Sequence, residues 1–140
     1  MSLTGTFNTN PPSIAAGLAT LEAYDEREIA LLNAKGDRLR ENVAALANNK
    51  GLPLEVSGEA SFLAFNFAPR IGNDYHAVAT RPEELSTVDH FWNAALNRNL
   101  LIDISGRMNI STAYSDSDID EAGEIILVAA EMAHNKSKLN

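Results

Sequence analysis

The chain has 140 residues, the length of about one domain. Hydrophobic residues make up 45% and charged residues 21%, which excludes a disordered tail, a collagen-like repeat and a simple coiled coil. Asp and Glu number 19 against 11 Lys and Arg, a formal charge of −8, with no dense basic patch to offset it. No nucleic acid and no anionic membrane is therefore expected as a partner.

The chain has no cysteine, which removes a disulfide framework, a thiolate nucleophile and a Cys-based metal site. No apolar run approaches the roughly 18–20 residues that span a bilayer. Met1-Ser2-Leu3 does not open a charged and then apolar leader, so no signal peptide is visible. The cytoplasm is the expected location.

In chain order, a polar, turn-rich start gives way at Asn10-Pro11-Pro12-Ser13 to an alanine-rich stretch, Ile14 to Tyr24. Proline suits a first helical turn, where its missing N–H has no partner. Ile14, Leu18 and Leu21 recur at helical spacing, with small residues between them, which predicts a helix packed closely on more than one side. Asp25-Glu26-Arg27-Glu28 breaks the apolar run. A second helical pattern follows through Ile29, Leu32, Leu39, Val43 and Leu46, with Gly36 on one face at a cost of about 1 kcal/mol relative to Ala. Asn48-Asn49-Lys50-Gly51 stops it.

Leu54–Ser57 and Phe62–Phe67 read as strands around a turn at Gly58-Glu59. Thr80-Arg81-Pro82-Glu83 has the form of a capping box for a helix running to about Arg98, with Asn99 closing it. Leu100–Ile104 and Met108–Ser111 read as two further strands. Asp116 or Ser117 is expected to cap a last helix, whose dipole the carboxylates of Asp116, Asp118 and Asp120 complement. The pattern predicts an α+β fold: a small antiparallel or mixed sheet of about 3–4 strands, helices on one face, and a long N-terminal helix ahead of it.

Few residues advertise chemistry. His76, His90 and His134 stand at no metal-ligand spacing, and no metal is expected. The run Asp116–Asp120 resembles a calcium loop but lacks the glycine and glutamate such a loop needs, so helix capping is the expected role. No nucleophile elbow, P-loop or dinucleotide fingerprint occurs. The segment Gly5-Thr6-Phe7-Asn8-Thr9-Asn10-Pro11 is more specific. Gly5 permits a close backbone approach, and Thr6 offers a hydroxyl and an N–H of the kind that hold a phosphate oxygen.

This turn and the Ala15-Ala16-Gly17-Leu18-Ala19-Thr20-Leu21-Glu22 helix after it resemble the class III aminotransferases, the group that includes glutamate-1-semialdehyde aminomutase. The resemblance runs on through Arg38-Leu39-Arg40-Glu41, Phe62–Phe67, Phe91–Leu96 and Ile110–Asp120, over about residues 4–133. It implies the small C-terminal domain of a fold-type I pyridoxal-phosphate (PLP) enzyme, with the large PLP-binding domain absent and Met1-Ser2-Leu3 as vector residues. By the same resemblance Gly5 and Thr6 bind the PLP phosphate of the neighbouring subunit in a homodimer. The Schiff-base lysine of such enzymes lies upstream of this turn. None of Lys35, Lys50, Lys136 and Lys138 has a matching context, so the chain alone is expected to be inactive, with no catalytic residue of its own.

Two positions depart from the family pattern. The loop Ser105-Gly106-Arg107-Met108 is short and basic where the aminomutase is acidic and longer. Arg107 is therefore a candidate grip on a substrate carboxylate, and a transaminase acting on another amino acid or amine fits as well as a mutase. Thr9 stands where the family often has glycine. Two rival readings stay open: a non-catalytic α+β interaction module derived from such an enzyme, and an unrelated small-ligand-binding domain.

Overall fold

The computed structural model describes residues 10–68 and 82–138, apart from the side chain of Glu83. It divides into two compact units, the first ending at Leu31 and the second starting at Leu32.

The first unit holds helix α1, Pro11–Ala23. The Asn10 side chain caps it by accepting the Ser13 N–H at 2.8 Å, and the two prolines fit the first turn. The chain breaks only at Tyr24 and Asp25. Asp25 then accepts the Glu28 N–H at 2.9 Å and starts α2, Glu26–Asn49. The acidic stretch read as a breaker is thus mostly the first turn of α2, where its charges suit the dipole. Two helices of 13 and 24 residues, rather than one long helix, precede the sheet.

In the second unit α2 ends in a Schellman pair: Gly51 N–H bonds the Asn48 carbonyl and Leu52 N–H the Ala47 carbonyl, at 3.0 and 2.9 Å. Gly51 takes the left-handed φ of +64° that this ending requires. Strands β1 (Glu55–Ser57), β2 (Phe62–Asn66) and β3 (Arg107–Asn109) form a three-stranded sheet in that order. Both pairings are antiparallel, with Val56 opposite Phe65 and Leu63 opposite Met108. That register turns Leu63, Phe65 and Met108 inward, where they are buried, and leaves Glu55, Ser57, Phe62, Arg107 and Asn109 exposed on the other face.

A 3-10 turn at Pro82–Glu84 leads into α3, Leu85–Leu96. Phe91 on α3 meets the rings of Phe65 and Phe67 edge-on, with centroids 5.4 and 5.3 Å apart. Helix α4, Asp116–Ser137, packs against α3 and completes the core with Ile119, Ile126, Ala129 and Ala130. The fold is the α+β arrangement expected, with four helices and a three-stranded antiparallel sheet among the described residues.

Several expectations shift. Leu100–Ile104 is not a strand. Leu100 to Asp103 alternate as a strand would, with Leu100 and Ile102 buried and Leu101 and Asp103 exposed, but Ile104 is exposed where the alternation would bury it, and the segment is drawn into a turn before any ladder forms. Asp103 N–H bonds the Arg107 carbonyl at 2.7 Å and Gly106 N–H bonds the Asp103 carbonyl at 2.8 Å. Ile110 N–H bonds the Ser61 carbonyl just beyond β3, which ends at Asn109. Helix α3 stops at Leu96 rather than near Arg98, through a second Schellman pair closed by Asn99 at φ +63°. Thr80 and Arg81 lie outside the described residues. The cap of α4 is Ser115, not Asp116 or Ser117, and it forms a capping box with Asp118.

Candidate functional site

Of the residues singled out for binding, Gly5 and Thr6 lie outside the described residues. The Asn10 cap and α1 come next in the chain, and no residue of α1 is buried.

Arg107 sits at the start of β3, opposite Ala64. Its side chain is exposed and forms no ion pair or hydrogen bond within the described residues. The turn that delivers it is rigid for local reasons. Gly106 has φ +76°, and a Cβ there would stand 2.9 Å from the Phe65 carbonyl oxygen. Asp103 accepts the Ser105 N–H at 2.8 Å and the Ser105 hydroxyl as well. The hydroxyl bond first, then the N–H bond, with Arg107 as a lesser influence, holds the Asp103 carboxyl below its ordinary value.

The acidic run is spoken for. Asp118 accepts the Ser115 N–H at 2.7 Å, and its own N–H bonds the Ser115 hydroxyl at 3.2 Å. The Ser115 hydroxyl also lowers the Asp118 pKa, with the backbone bond second. Asp120 receives one Arg38 nitrogen on both carboxylate oxygens, at 2.6 and 2.7 Å. The run caps and anchors a helix, as expected. Among the described residues no group of three His, Asp or Glu could hold a metal ion, and no helix is long and apolar enough to cross a membrane. His90 lies on α3 with its Nδ1 buried and without a hydrogen-bond partner among the described residues; His76 lies outside them.

The lysines test the fit to PLP. Lys35 donates to the Tyr114 carbonyl at 2.6 Å. Lys50 pairs with Glu131. Lys136 and Lys138 stand exposed at the end of α4. The two internal lysines thus tie their helices to neighbouring segments.

The structure also shows features that sequence reasoning missed. A groove of about 530 Å³ runs between the end of α3 and the first half of α4, bordered by Arg98, Leu101, Tyr114, Asp118, Glu121 and Ile125. Three separate segments build it, so no local signal announces it. Arg40 clamps the β1–β2 turn by donating to the carbonyls of Ala60 and Phe62 at 2.7 and 3.0 Å.

No family model matches the chain. It is 32% identical over 128 residues to glutamate-1-semialdehyde 2,1-aminomutase of Opitutus terrae, a match covering 89% of this chain and 30% of that enzyme. Its fold is that of part of an omega-transaminase from Sphaerobacter thermophilus, with a TM-score of 0.86 and 24% identity over 96% of this chain and 31% of that one. A transaminase with PLP bound shares the fold at a TM-score of 0.79 and 19% identity, covering 99% of this chain and 31% of that one. In sequence the chain is similar to part of the aminomutases and in fold to part of the transaminases, which is consistent with a class III aminotransferase C-terminal domain. Within that class it is similar to the glutamate-1-semialdehyde 2,1-aminomutases, and it spans about 30% of the length of the curated relatives it matches.

Proposed function

We propose that the whole protein is a PLP-dependent class III aminotransferase or an aminomutase-like enzyme, which moves an amino group on a small amino compound. Residues 4–140 are its small C-terminal domain. The observation that carries this reading is the aminomutase match, which runs along 89% of the chain. In the homodimer, Gly5 and Thr6 contact the PLP phosphate of the neighbouring subunit, and Arg107 meets a substrate carboxylate. Support for Arg107 comes from its exposed guanidinium, which forms no ion pair or hydrogen bond among the described residues, on a turn that two backbone bonds hold closed.

The test is a chimaera in which residues 4–140 replace the matching stretch of the Opitutus terrae aminomutase. The chain alone is expected to transfer no amino group, because none of its lysines suits the cofactor; the chimaera is expected to bind PLP and do so. A folded chimaera that neither binds PLP nor transfers an amino group would favour the non-catalytic module instead. In the active chimaera Thr6→Ala should weaken PLP retention, read by dialysis against cofactor-free buffer. Unchanged retention would remove the phosphate role. Arg107→Ala should raise KM for acid substrates while leaving PLP retention alone.

A further inference from the structure

Helix α4 spends one face on the core and still has an apolar stripe left over. Ile119, Ile126, Ala129, Ala130 and Ala133 are buried. On the side turned away from them Ile125 is half-buried, and Val128 and Met132 are 38% and 47% exposed. Their helical spacing sets these three on one line. Glu121 begins that line and Lys136 ends it, and both are exposed. Neither forms an ion pair or a hydrogen bond among the described residues.

The stripe is its own complement when reversed. Ile125 lies one turn before Val128 and Met132 one turn after it; Glu121 lies two turns before and Lys136 two turns after. Turning the helix end over end about Val128 lays Ile125 on Met132, Val128 on Val128 and Glu121 on Lys136. That is the self-complementarity of a two-fold interface, in which each contact between two different positions occurs twice.

The groove at the end of α3 fits the same arrangement. Leu101, 74% exposed, lines it with Tyr114 and Ile125, and Glu121 stands on its border. The reversal brings Met132 and Lys136 of a second copy to that half of α4. Methionine is unbranched and fills irregular space. A lysine stem covers apolar surface while its ammonium reaches a carboxylate.

We infer that α4 is a self-association surface: two copies of the chain pair antiparallel through Ile125, Val128 and Met132, with Glu121 of each meeting Lys136 of the other. One flank opposes the contact, because Glu124 there faces Glu131 of the second copy, whose charge Lys50 offsets only in part. One helix pair also buries less than the roughly 1,200–2,000 Å² of a stable complex. The pairing is therefore weak, with half the chains associated at about 10–100 µM. It needs neither a cofactor nor any other part of an enzyme, so it stands or falls apart from the proposed function.

The experiment is analytical ultracentrifugation of the chain from about 1 µM to about 1 mM, a range that brackets such an affinity. The chain should pass from monomer to dimer across it. Val128→Glu should hold it monomeric with its helix content unchanged by circular dichroism. Should that variant lose helix, the two exposed charges carry the test. Glu121→Lys should weaken pairing by about tenfold, since the axis repeats each loss, and adding Lys136→Glu should restore it. Glu124→Gln should tighten it. The chain has no cysteine, so the axis can be marked directly: Val128→Cys should oxidise to a disulfide-linked dimer, and the exposed control Glu41→Cys should not. A chain still monomeric at the highest concentration, assembly beyond a dimer, pairing untouched by Val128→Glu, or a double charge reversal that fails to restore pairing would overturn the inference.

Discussion

Gly36 and Gly123 both lie buried within long helices, where glycine costs about 1 kcal/mol relative to alanine. Their surroundings give the same substitution opposite signs. A Cβ on Gly36 would stand 1.8 Å from the carbonyl oxygen of Ala60, a backbone atom that Arg40 also holds and that belongs to a residue at φ +54°. That carbonyl cannot move without dragging the β1–β2 turn. Gly36→Ala should therefore destabilise by about 1–3 kcal/mol, the usual cost of overpacking. At Gly123 the first atom met is the Leu39 Cδ1 at 3.4 Å, the free end of a side chain. Gly123→Ala should recover part of the helix propensity and stabilise by about 0.5–1 kcal/mol. Urea unfolding of the two variants checks both signs; a stabilised Gly36→Ala would mean that the turn does not sit against α2.

The helices end and begin by local chemistry, and α4 shows how that chemistry becomes sensitive to pH. Ser115→Ala should cost about 1 kcal/mol, the usual worth of a cap. The Asp118 carboxyl is held below its ordinary value of 3.8 by the Ser115 hydroxyl and N–H. The folded chain thus gives up this proton more readily than the unfolded one, so the capping contribution is complete above the unfolded value. It is lost as pH falls through the lowered folded value. Asp103 behaves the same way in its turn with Ser105. Helix content followed by circular dichroism should hold from neutral pH to about pH 4 and weaken below it. Asp118→Asn should flatten part of that acid limb, and an unchanged limb would show that the box contributes nothing.

Across the second unit, stability converges on Phe91. Its ring is fully buried and touches Phe65 on β2 and Phe67 just beyond it, so it joins α3 to the inner face of the sheet. Phe91→Ala should cost about 3–5 kcal/mol, a large part of the roughly 5–15 kcal/mol that stabilises a domain. A thermal midpoint that hardly moved would place the core elsewhere. The acidic charge of −8 is partly tied down at this scale too. Asp120 meets Arg38, Glu131 meets Lys50 and Asp37 meets Arg40; the first two pairs are exposed on both sides and add little to stability, whereas Arg40 is mostly buried against an exposed Asp37.

The residue pattern by itself determined the helix periods, the β1–β2 pair, the glycine stop of α2 and the α+β class, because each depends on contacts within a few residues; it left the sheet antiparallel or mixed. The turn at Gly5-Thr6 and the helix after it are recognisable as a family signature from their order alone. Sequence does not single out Ser115 as the cap, because Ser115, Asp116 and Ser117 are all competent capping residues and only the backbone angles choose among them. Leu100–Ile104 reads wrongly as a strand because a buried extended segment and a strand show the same alternation; hydrogen-bonding neighbours separate them, and the Asp103 turn intervenes. What only the tertiary structure decided was where distant segments meet. The Ala60 carbonyl against Gly36, the Lys35 bond to Tyr114 and the groove between α3 and α4 join residues far apart in the chain, and no local periodicity encodes a contact whose two halves are fixed by different elements.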